Sequence, residues 1–447
     1  MISKFDVTLN HKIDDFNKNI EVDSDKSISI RSFLIGSICQ NISYVTNVLE
    51  SHDVLSTINC LKKLGVKIVK KDTGNYLIKG RGLGSYHAKK NLLLNFGNSG
   101  TLARLLIGIL STTPGINVKM TGDRSLNKRS MKKLIFLMTK FGASFHPKKK
   151  FNFPLKLNSS VAPIGIKYNS GVSAQLKSAV ILAGLNSYGR TEIFEKNKSR
   201  DHTENMILKN KDVIKIIGKT KRCIKIEGKK SLKPIKISVP NDPSSAAFFT
   251  ALTLLKKKSS IKIKNVGLNS RRIGFYNLLK RHGANIQFQN IRKKNNEIIG
   301  NVYVKSSNLK PIKAHKDYYV NSTDEYPILF VIAALTKGVS VFHGIEDLAN
   351  KESNRITEMQ KIFRQVGIKS ISSKNQIKIY GLNNPNIIKK KVFIPNLGDH
   401  RICMSAFILA SATGVKTKIK NFETVFTSSP SFLKIMKTIG SKFEIKK

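Results

Sequence analysis

Charged side chains are concentrated in this sequence at the points where strongly apolar helices are predicted to begin. The set comprises Lys26, Arg31, Asp324, Glu325, Asp399, His400 and Arg401. Any one of these residues alone would be explained by helix capping or by a surface salt bridge. A charge beside an apolar helix is costly unless it is paired or used, so the whole set in equivalent places favours a ligand site.

Two further segments contribute residues of the same kind. Lys351–Arg355 (KESNR) is predicted to place Lys351 and Arg355 at i and i+4 on one helix face, with Glu352 alongside. Gly122–Arg129 (GDRSLNKR) is interpreted as a basic turn. The combined cations are Lys26, Arg31, Arg129, Lys351, Arg355 and Arg401, and the acids are Asp324 and Glu352. Arginine suits carboxylate and phosphate groups, and a carboxylate can transfer a proton, so the set predicts a site for at least two multiply charged anions.

The elements that must position these residues repeat six times along the chain. In each repeat a polar cluster opens an apolar helix, and an amphipathic, lysine-bearing helix later ends at a turn, usually a glycine, before a strand-like stretch. The openings are Ser24–Ser27, Asn98–Thr101, Ser173–Gln175, Asp242–Ser245, Thr323–Pro327 and Gly398–Arg401, and the closings are Gly65, Gly142, a weaker one near Lys211, Gly283, Gly367 and Gly440. Helix starts carry unpaired N–H groups and partial positive charge, so several of them gathered together would bind anions strongly.

The six repeats divide into two sets of three, which predicts an α/β protein of two domains. The seams are Val22–Ser24 and Val239–Asp242, where turn residues meet the opening of a new unit. We predict one domain at residues 24–239 with units one to three, and a discontinuous domain at residues 1–23 and 240–447 with units four to six.

Composition limits the classes of partner. The formal net charge is +51, but the lysines are scattered over turns, strands and helix faces, without an arginine-rich arm or an aromatic-interleaved basic patch. We interpret the charge as compositional drift and do not expect a nucleic-acid partner. The four cysteines have no paired spacing and are interpreted as buried structural thiols. Because there is neither a signal-peptide core nor an apolar run long enough for a membrane span, we expect a soluble cytoplasmic protein.

Five motifs in this order resemble those of the 5-enolpyruvylshikimate-3-phosphate (EPSP) synthases, and the likeness runs essentially from end to end. They are Asp25–Arg31 (DKSISIR), Phe96–Thr101 (FGNSGT), Ser173–Ser178 (SAQLKS), Lys351–Arg355 (KESNR) and Gly398–Arg401 (GDHR). Arg200–Glu204 (RDHTE) and Asp324–Pro327 (DEYP) are similar to segments of the second class of that family. The resemblance implies an inverted α/β barrel: two domains of three βαβαββ units each, with the helix N-termini facing an interdomain cleft that closes around substrate.

The resemblance also implies a reaction and its residues. The enolpyruvyl group of phosphoenolpyruvate would pass to the 5-hydroxyl of shikimate 3-phosphate, with release of phosphate, through a tetrahedral intermediate. The residues implied for shikimate 3-phosphate are Lys26, Ser27, Arg31, Ser173, Ala174, Gln175, Arg200, Asp324 and Lys351. Those implied for phosphoenolpyruvate are Lys26, Gly100, Arg129, Gln175, Arg355 and Arg401. With Lys26 as the third catalytic residue, Glu352 would protonate the methylene carbon and Asp324 would take the hydroxyl proton. No metal or organic cofactor is implied, no membrane is involved, and we expect a monomer.

Departures from the family pattern leave alternatives open. Ser130 stands where proline is usual and Asn354 where aspartate is usual, as an inactive paralogue would allow. UDP-N-acetylglucosamine enolpyruvyltransferase shares the fold and the donor, although Gly122–Arg129 lacks the cysteine typical of its mobile loop. A polyanion-binding protein on this fold is supported by the net charge alone. Gly100 lies where herbicide-tolerant members often carry alanine, so we predict that glyphosate competes with phosphoenolpyruvate.

Overall fold

The computed structural model describes residues 4–218, 222–382 and 391–447. The α-helices in these ranges are α1 (Lys26–Ile38), α2 (His52–Lys63), α3 (Gly100–Thr112), α4 (Arg124–Lys128), α5 (Lys132–Lys140), α6 (Ala174–Leu185), α7 (His202–Ile207), α8 (Pro243–Leu254), α9 (Gly274–Arg281), α10 (Asp317–Ser322), α11 (Tyr326–Ala334), α12 (Arg355–Gln365), α13 (His400–Thr413) and α14 (Phe432–Thr438). Short 3-10 helices lie at Thr323–Glu325, Glu346–Asn350 and Phe422–Thr427. None of the helices in the described ranges is both long and apolar enough to cross a membrane.

The strands of the same ranges are short and are spread along the whole chain. They are β1 (Asp6–Leu9), β2 (Asn17–Ile20), β3 (Ile42–Thr46), β4 (Lys67–Asp72), β5 (Asn75–Lys79), β6 (Leu93–Asn95), β7 (Asn117–Thr121), β8 (Ser144–His146), β9 (Leu155–Asn158), β10 (Lys167–Ser170), β11 (Arg190–Glu195), β12 (Ile214–Ile217), β13 (Arg222–Glu227), β14 (Lys236–Ser238), β15 (Ser260–Gly267), β16 (Asn285–Lys294), β17 (Glu297–Lys305), β18 (Lys313–Ala314), β19 (Gly338–His343), β20 (Ser370–Ser373), β21 (Gln376–Gly381), β22 (Val392–Ile394), β23 (Thr417–Ile419) and β24 (Glu444–Lys446).

These strands form six four-stranded mixed sheets. Their orders are β14-β3-β5-β4, β6-β7-β9-β8, β10-β11-β13-β12, β16-β17-β15-β2, β18-β19-β21-β20 and β22-β23-β1-β24. The sheet built on β7 shows the common pattern: β6 runs parallel to β7, and the pairs β7–β9 and β9–β8 are antiparallel. A parallel pair needs a crossover, and the apolar helix α3 supplies it here, as α6, α11 and α13 do in three other sheets. The prediction of six repeated α/β units is confirmed.

The chain divides into two compact units. One contains residues 1–23, 240–292 and 298–447, and the other contains residues 24–239 and 293–297. The first three sheets in the order given above have all their strands within residues 24–239. The N-terminal strands instead pair with the C-terminal half: β1 lies between β23 and β24, and β2 pairs with β15.

The first helix of each repeat is buried on nearly every side, which is why it can be apolar all round. Every residue of α8 and α11 is buried, and so is every residue of α3 except Arg104. The second helix ends as predicted at a glycine with positive φ: 86° at Gly65, 93° at Gly142 and 92° at Gly283. A residue with a Cβ atom would be strained in this left-handed conformation, so glycine makes a sharp helix end possible.

Each unit has its own hydrophobic core. In the C-terminal unit, aromatic rings reinforce it: Phe330 packs edge-on against Phe342 and Tyr326, with ring centroids 5.0 and 5.9 Å away. In the core of the 24–239 unit, α1, α3 and α6 contribute mostly aliphatic side chains, and other parts of the unit supply the rest. All four cysteines are free thiols, and Cys223 alone among them is half-buried rather than buried.

Candidate active site

Three helix starts in the 24–239 unit are capped by the side chains that the openings predict. Asp25, Ser99 and Ser173 cap α1, α3 and α6 by accepting the N–H three residues further on, at 2.8, 3.2 and 3.4 Å. A side-chain cap satisfies only part of the unpaired N–H groups at a helix start. The first turns of these helices therefore keep the partial positive charge that attracts anions.

Side-chain hydrogen bonds join these helix starts to one another. Arg31 of α1 donates from Nε to Oγ1 of Thr203 at 2.9 Å and from Nη2 to Oγ of Ser178 at 3.3 Å. Gln175 of α6 donates to Oγ1 of Thr101 in α3 at 2.9 Å. The predicted residues on α1 and α6 thus lie in one connected polar layer.

Arg129 lies at the C-terminal end of a helix, so the prediction of a basic turn at residues 122–129 is wrong. Asp123 caps the short helix α4 by accepting the N–H of Leu126 at 2.7 Å, which stabilises a helical turn where the sequence had suggested a loop. The Arg129 guanidinium donates to Oδ1 of Asn98 at 2.6 Å and therefore lies beside the start of α3. Gly100 is close by, because a Cβ atom added there would lie 3.1 Å from Nη1 of Arg129.

The remaining candidates of this unit have simple placements. Nζ of Lys26 lies 3.0 Å from Oδ2 of Asp53, at the start of α2. The carbonyl of Ser27 accepts Nη1 of Arg31 at 3.0 Å. Ala174, in the first turn of α6, and Arg200, between β11 and α7, are both half-buried.

In the C-terminal unit, the acidic candidates gather around one buried arginine. Arg355 is fully buried and donates from Nε to Oδ2 of Asp399 at 3.0 Å. Its Nη2 donates to Oε2 of Glu352 at 2.7 Å, and its Nη1 lies 3.8 Å from Oδ1 of Asp324. A single guanidinium therefore orients both carboxylates that were predicted to transfer protons.

Electrostatics keep this guanidinium charged. Burial alone would lower the pKa of Arg355, but the carboxylates of Asp399, Glu352 and Asp324 outweigh burial and raise the pKa above its ordinary value. Arg355 is thus a permanent and buried cation between three carboxylates.

The prediction that Lys351 and Arg355 share a helix face is wrong. The helix α12 begins only at Arg355, because Asn354 is its N-cap and accepts the N–H of Thr357 at 3.2 Å. Asparagine caps a helix as well as aspartate does, so the departure at this position preserves the cap. Lys351 lies before the helix and pairs with Asp347, which also accepts the hydroxyl of Tyr319 at 3.0 Å.

Arg401 is buried in the first turn of α13. Its backbone N–H is accepted by the N-cap Asp399 at 2.9 Å, and its guanidinium lies 5.8 Å from the centre of the Phe248 ring. Among the residues that the structure describes, Nε and Nη1 of Arg401 are buried without a hydrogen-bond partner. Buried donors of this kind are normally satisfied, so Arg401 is suited to receive an anion.

Several residues of the site were not assigned a role from the sequence. Asp399 and Asn98 hold Arg355 and Arg129, and Asp53 and Thr203 hold Lys26 and Arg31. Asp399, Asn98 and Thr203 lie inside the recognised motifs, which is the signal that could have identified them. Asp53 carries no such signal, because only the tertiary fold brings α2 to Lys26.

The family model described as EPSP synthase (3-phosphoshikimate 1-carboxyvinyltransferase) matches residues 10–436 of the chain. A relative named 3-phosphoshikimate 1-carboxyvinyltransferase from Paramagnetospirillum magneticum is 35% identical over 424 residues, which are 94% of this chain and 94% of the relative. A relative of the same name from Caldicellulosiruptor bescii is 37% identical over 434 residues, which are 96% of this chain and 98% of the relative.

Solved structures agree with the fold. A structure of EPSP synthase from Acinetobacter baumannii has a TM-score of 0.85 and 32% sequence identity, and the match covers 100% of both chains. The enolpyruvyl transferase NikO from Streptomyces tendae has a TM-score of 0.77 over 99% of both chains. Its sequence identity of 12% indicates a shared fold and nothing further.

Proposed function

We infer that this chain, which belongs to the EPSP synthase (3-phosphoshikimate 1-carboxyvinyltransferase) family, transfers the enolpyruvyl group of phosphoenolpyruvate to the 5-hydroxyl of shikimate 3-phosphate. Phosphate is released, and the product continues in the shikimate pathway toward chorismate and the aromatic amino acids. The observation that best supports this function at the candidate site is the position of the buried Arg355, which lies 2.7 Å from Glu352 and 3.8 Å from Asp324. Two carboxylates beside a permanent cation suit a reaction between anions in which protons move.

The proposed reaction is an addition followed by an elimination. In the addition, Glu352 protonates the methylene carbon of phosphoenolpyruvate, and the 5-hydroxyl oxygen bonds to the carbon that carries the phosphate. Asp324 takes the hydroxyl proton. In the elimination, the bond to phosphate breaks, the new methyl group loses a proton, and the double bond forms again. Glu352 is by then ionised and is our candidate for the base, while Lys26 balances negative charge at the phosphate.

We assign phosphoenolpyruvate to four cations of the site, namely Arg355, Arg401, Arg129 and Lys26. Arg355 and Arg401 would face its carboxylate, and the buried donors of Arg401 support this role. Arg129 and Lys26 would lie near its phosphate, with Gly100 and Gln175 beside it. No metal or organic cofactor enters this scheme.

We assign shikimate 3-phosphate to the connected layer at the starts of α1 and α6, together with two residues of the C-terminal unit. The residues are Lys26, Ser27, Arg31, Ser173, Ala174, Gln175, Arg200, Asp324 and Lys351. The hydrogen bonds that hold Arg31 and Gln175 support a preorganised site, because little ordering is left to occur on binding.

The proposal extends to the setting of the reaction. We propose that residues 24–239 form one domain, that residues 1–23 and 240–447 form the other, and that the substrates bind in the cleft between them. We further propose a cytoplasmic monomer that acts on two small anions without a nucleic-acid partner.

Phosphate release tests the proposed function directly. Purified protein is incubated with phosphoenolpyruvate and shikimate 3-phosphate together and with each alone. We expect release only when both are present, because addition must precede the loss of phosphate. Release from phosphoenolpyruvate alone, or no release with both, would contradict the proposal, and salt-titrated RNA binding would then test the polyanion alternative.

Gly100→Ala is expected to raise the KM for phosphoenolpyruvate by about tenfold and to weaken inhibition by glyphosate at least as much. The added Cβ atom would lie 2.7 Å from Nη1 of Arg104, which must shift, and 3.1 Å from Nη1 of Arg129, which must move by a few tenths of an ångström. Initial rates at varied phosphoenolpyruvate and glyphosate measure both effects. Gly171→Ala is the matched control, since a Cβ atom there meets no atom within 4 Å. Inhibition independent of phosphoenolpyruvate concentration would contradict the competition.

A further inference from the structure

One ionic cluster in the 24–239 unit lies outside the residues assigned to the reaction. Lys177 of α6 is fully buried, and its Nζ lies 2.7 Å from Oε1 of Glu195 and 2.7 Å from Oε1 of Glu204. Both of these carboxylates are also fully buried. Arg222 adds a second cation, with Nη1 3.5 Å from Oε2 of Glu195 and 3.6 Å from Oδ2 of Asp201. So costly a cluster needs an explanation, because a well-packed apolar core of similar volume is often equally stable or more stable.

The cluster holds the segment that carries Arg200. Glu195 is the last residue of β11, and Glu204 lies in the first turn of α7, so the two carboxylates bracket this irregular segment. Oε1 of Glu195 also accepts the N–H of Ser199 at 2.9 Å and its hydroxyl at 3.1 Å. Nζ of Lys177 donates to the carbonyl of Ser199 at 3.4 Å. The residue immediately before Arg200 is therefore fixed through three hydrogen bonds.

The same lysine is tied to the start of α6. The N–H of Lys177 donates to the carbonyl of Ser173 at 3.1 Å, so its side chain leaves the helix one turn after the N-cap. Ser173, Ala174 and Gln175 form that first turn. One ammonium group thus joins two separate groups of residues that we assign to shikimate 3-phosphate.

We propose that Lys177 is a positioning residue that sets Arg200 relative to the start of α6, and so determines affinity for shikimate 3-phosphate. Glu195 and Glu204 connect Lys177 to this segment, and Arg222 adds a second cation beside Glu195. The proposal rests on the proposed function. A merely structural role would change stability alone, whereas positioning weakens the binding of shikimate 3-phosphate more than that of phosphoenolpyruvate, to which only Gln175 of these residues is also assigned.

The test compares Lys177→Met, Lys177→Arg and Arg222→Met with the wild type. Lys177→Met is expected to raise the KM for shikimate 3-phosphate by about tenfold, with the KM for phosphoenolpyruvate changed less than about threefold. Lys177→Arg keeps the positive charge, so we expect it to raise the KM for shikimate 3-phosphate less than Lys177→Met does. Arg222→Met leaves the fully buried lysine in place, so it reports on the same segment if Lys177→Met folds poorly. Leu157→Ala is the control, because it removes buried apolar volume from another sheet of the same unit.

The double variant Lys177→Met/Glu204→Gln tests whether the lost affinity for shikimate 3-phosphate can be partly restored. It removes one of the two carboxylates that lose their cation, so it should recover part of the affinity lost in Lys177→Met. Equal rises in both KM values, or a KM for shikimate 3-phosphate no higher than in Leu157→Ala, would overturn the positioning role. Calorimetric measurement of shikimate 3-phosphate binding separates a failure of the positioning role from a failure of the proposed function. Wild-type protein that neither binds shikimate 3-phosphate nor releases phosphate would overturn both hypotheses. An active wild type whose variants bind shikimate 3-phosphate normally would overturn the positioning role alone.

Discussion

Glu352→Gln is expected to lower kcat by about 10²- to 10⁴-fold, the range typical of a lost general acid or base. Glutamine has nearly the same shape as glutamate but cannot give a proton to the methylene carbon or take one back. The substitution should hardly disturb the fold, because Arg355 keeps its 3.0 Å contact with Asp399. The measurement is phosphate release at saturating concentrations of both substrates, with urea unfolding run in parallel.

Glu358→Gln is the matched control for this result. Glu358 lies in the first turn of α12, on the same helix as Arg355, and pairs with Lys361 at 2.8 Å. It belongs to no assigned group, so its change to glutamine should alter kcat by less than about threefold. If Glu352→Gln retained kcat within a few-fold of the wild type, Glu352 would not be the proton donor, and Asp324 would be the next candidate.

The repeating architecture could be predicted because it depends on local patterns. The buried helices α3, α6, α11 and α13 are almost entirely apolar, and glycines such as Gly142 end the helices that follow, so both features are visible within a single stretch of sequence. Sheet order depends on long-range pairing instead. Nothing local in β1 indicates that it lies between β23 and β24, more than 400 residues further on.

The candidate site divides in the same way. Motif residues such as Arg31, Arg355 and Arg401 could be identified because their types and order are distinctive. Their partners could not, because a contact such as Lys177 with Glu195 depends on how α6 packs beside β11. The helix assigned to Lys351–Arg355 failed for a local reason: Asn354 favours an N-cap, so α12 starts too late to include Lys351.

The largest effect on stability is expected from Arg355→Met. It should lower the free energy of unfolding by about 3–5 kcal/mol, as the removal of one partner of a buried ion pair typically does. Asp399 is fully buried and would lose the guanidinium that now lies 3.0 Å away. The kcat of Arg355→Met should also fall, because Glu352 and Asp324 lose the guanidinium that orients them. Urea unfolding followed by circular dichroism measures the loss.

Two further variants separate a stranded buried charge from a simple loss of packing. Arg355→Met/Asp399→Asn removes the carboxylate left without its cation, so the double variant should be more stable than Arg355→Met despite carrying one more substitution. Lys361→Met removes the cation of an exposed ion pair on the same helix, in which the lysine side chain is 53% exposed. It should lower the free energy of unfolding by less than about 1 kcal/mol. Asparagine at position 399 can still accept the N–H of Arg401, which Asp399 now accepts at 2.9 Å, so the cap is kept. A double variant no more stable than Arg355→Met would therefore show that the charge left on Asp399 is not what destabilises the single variant.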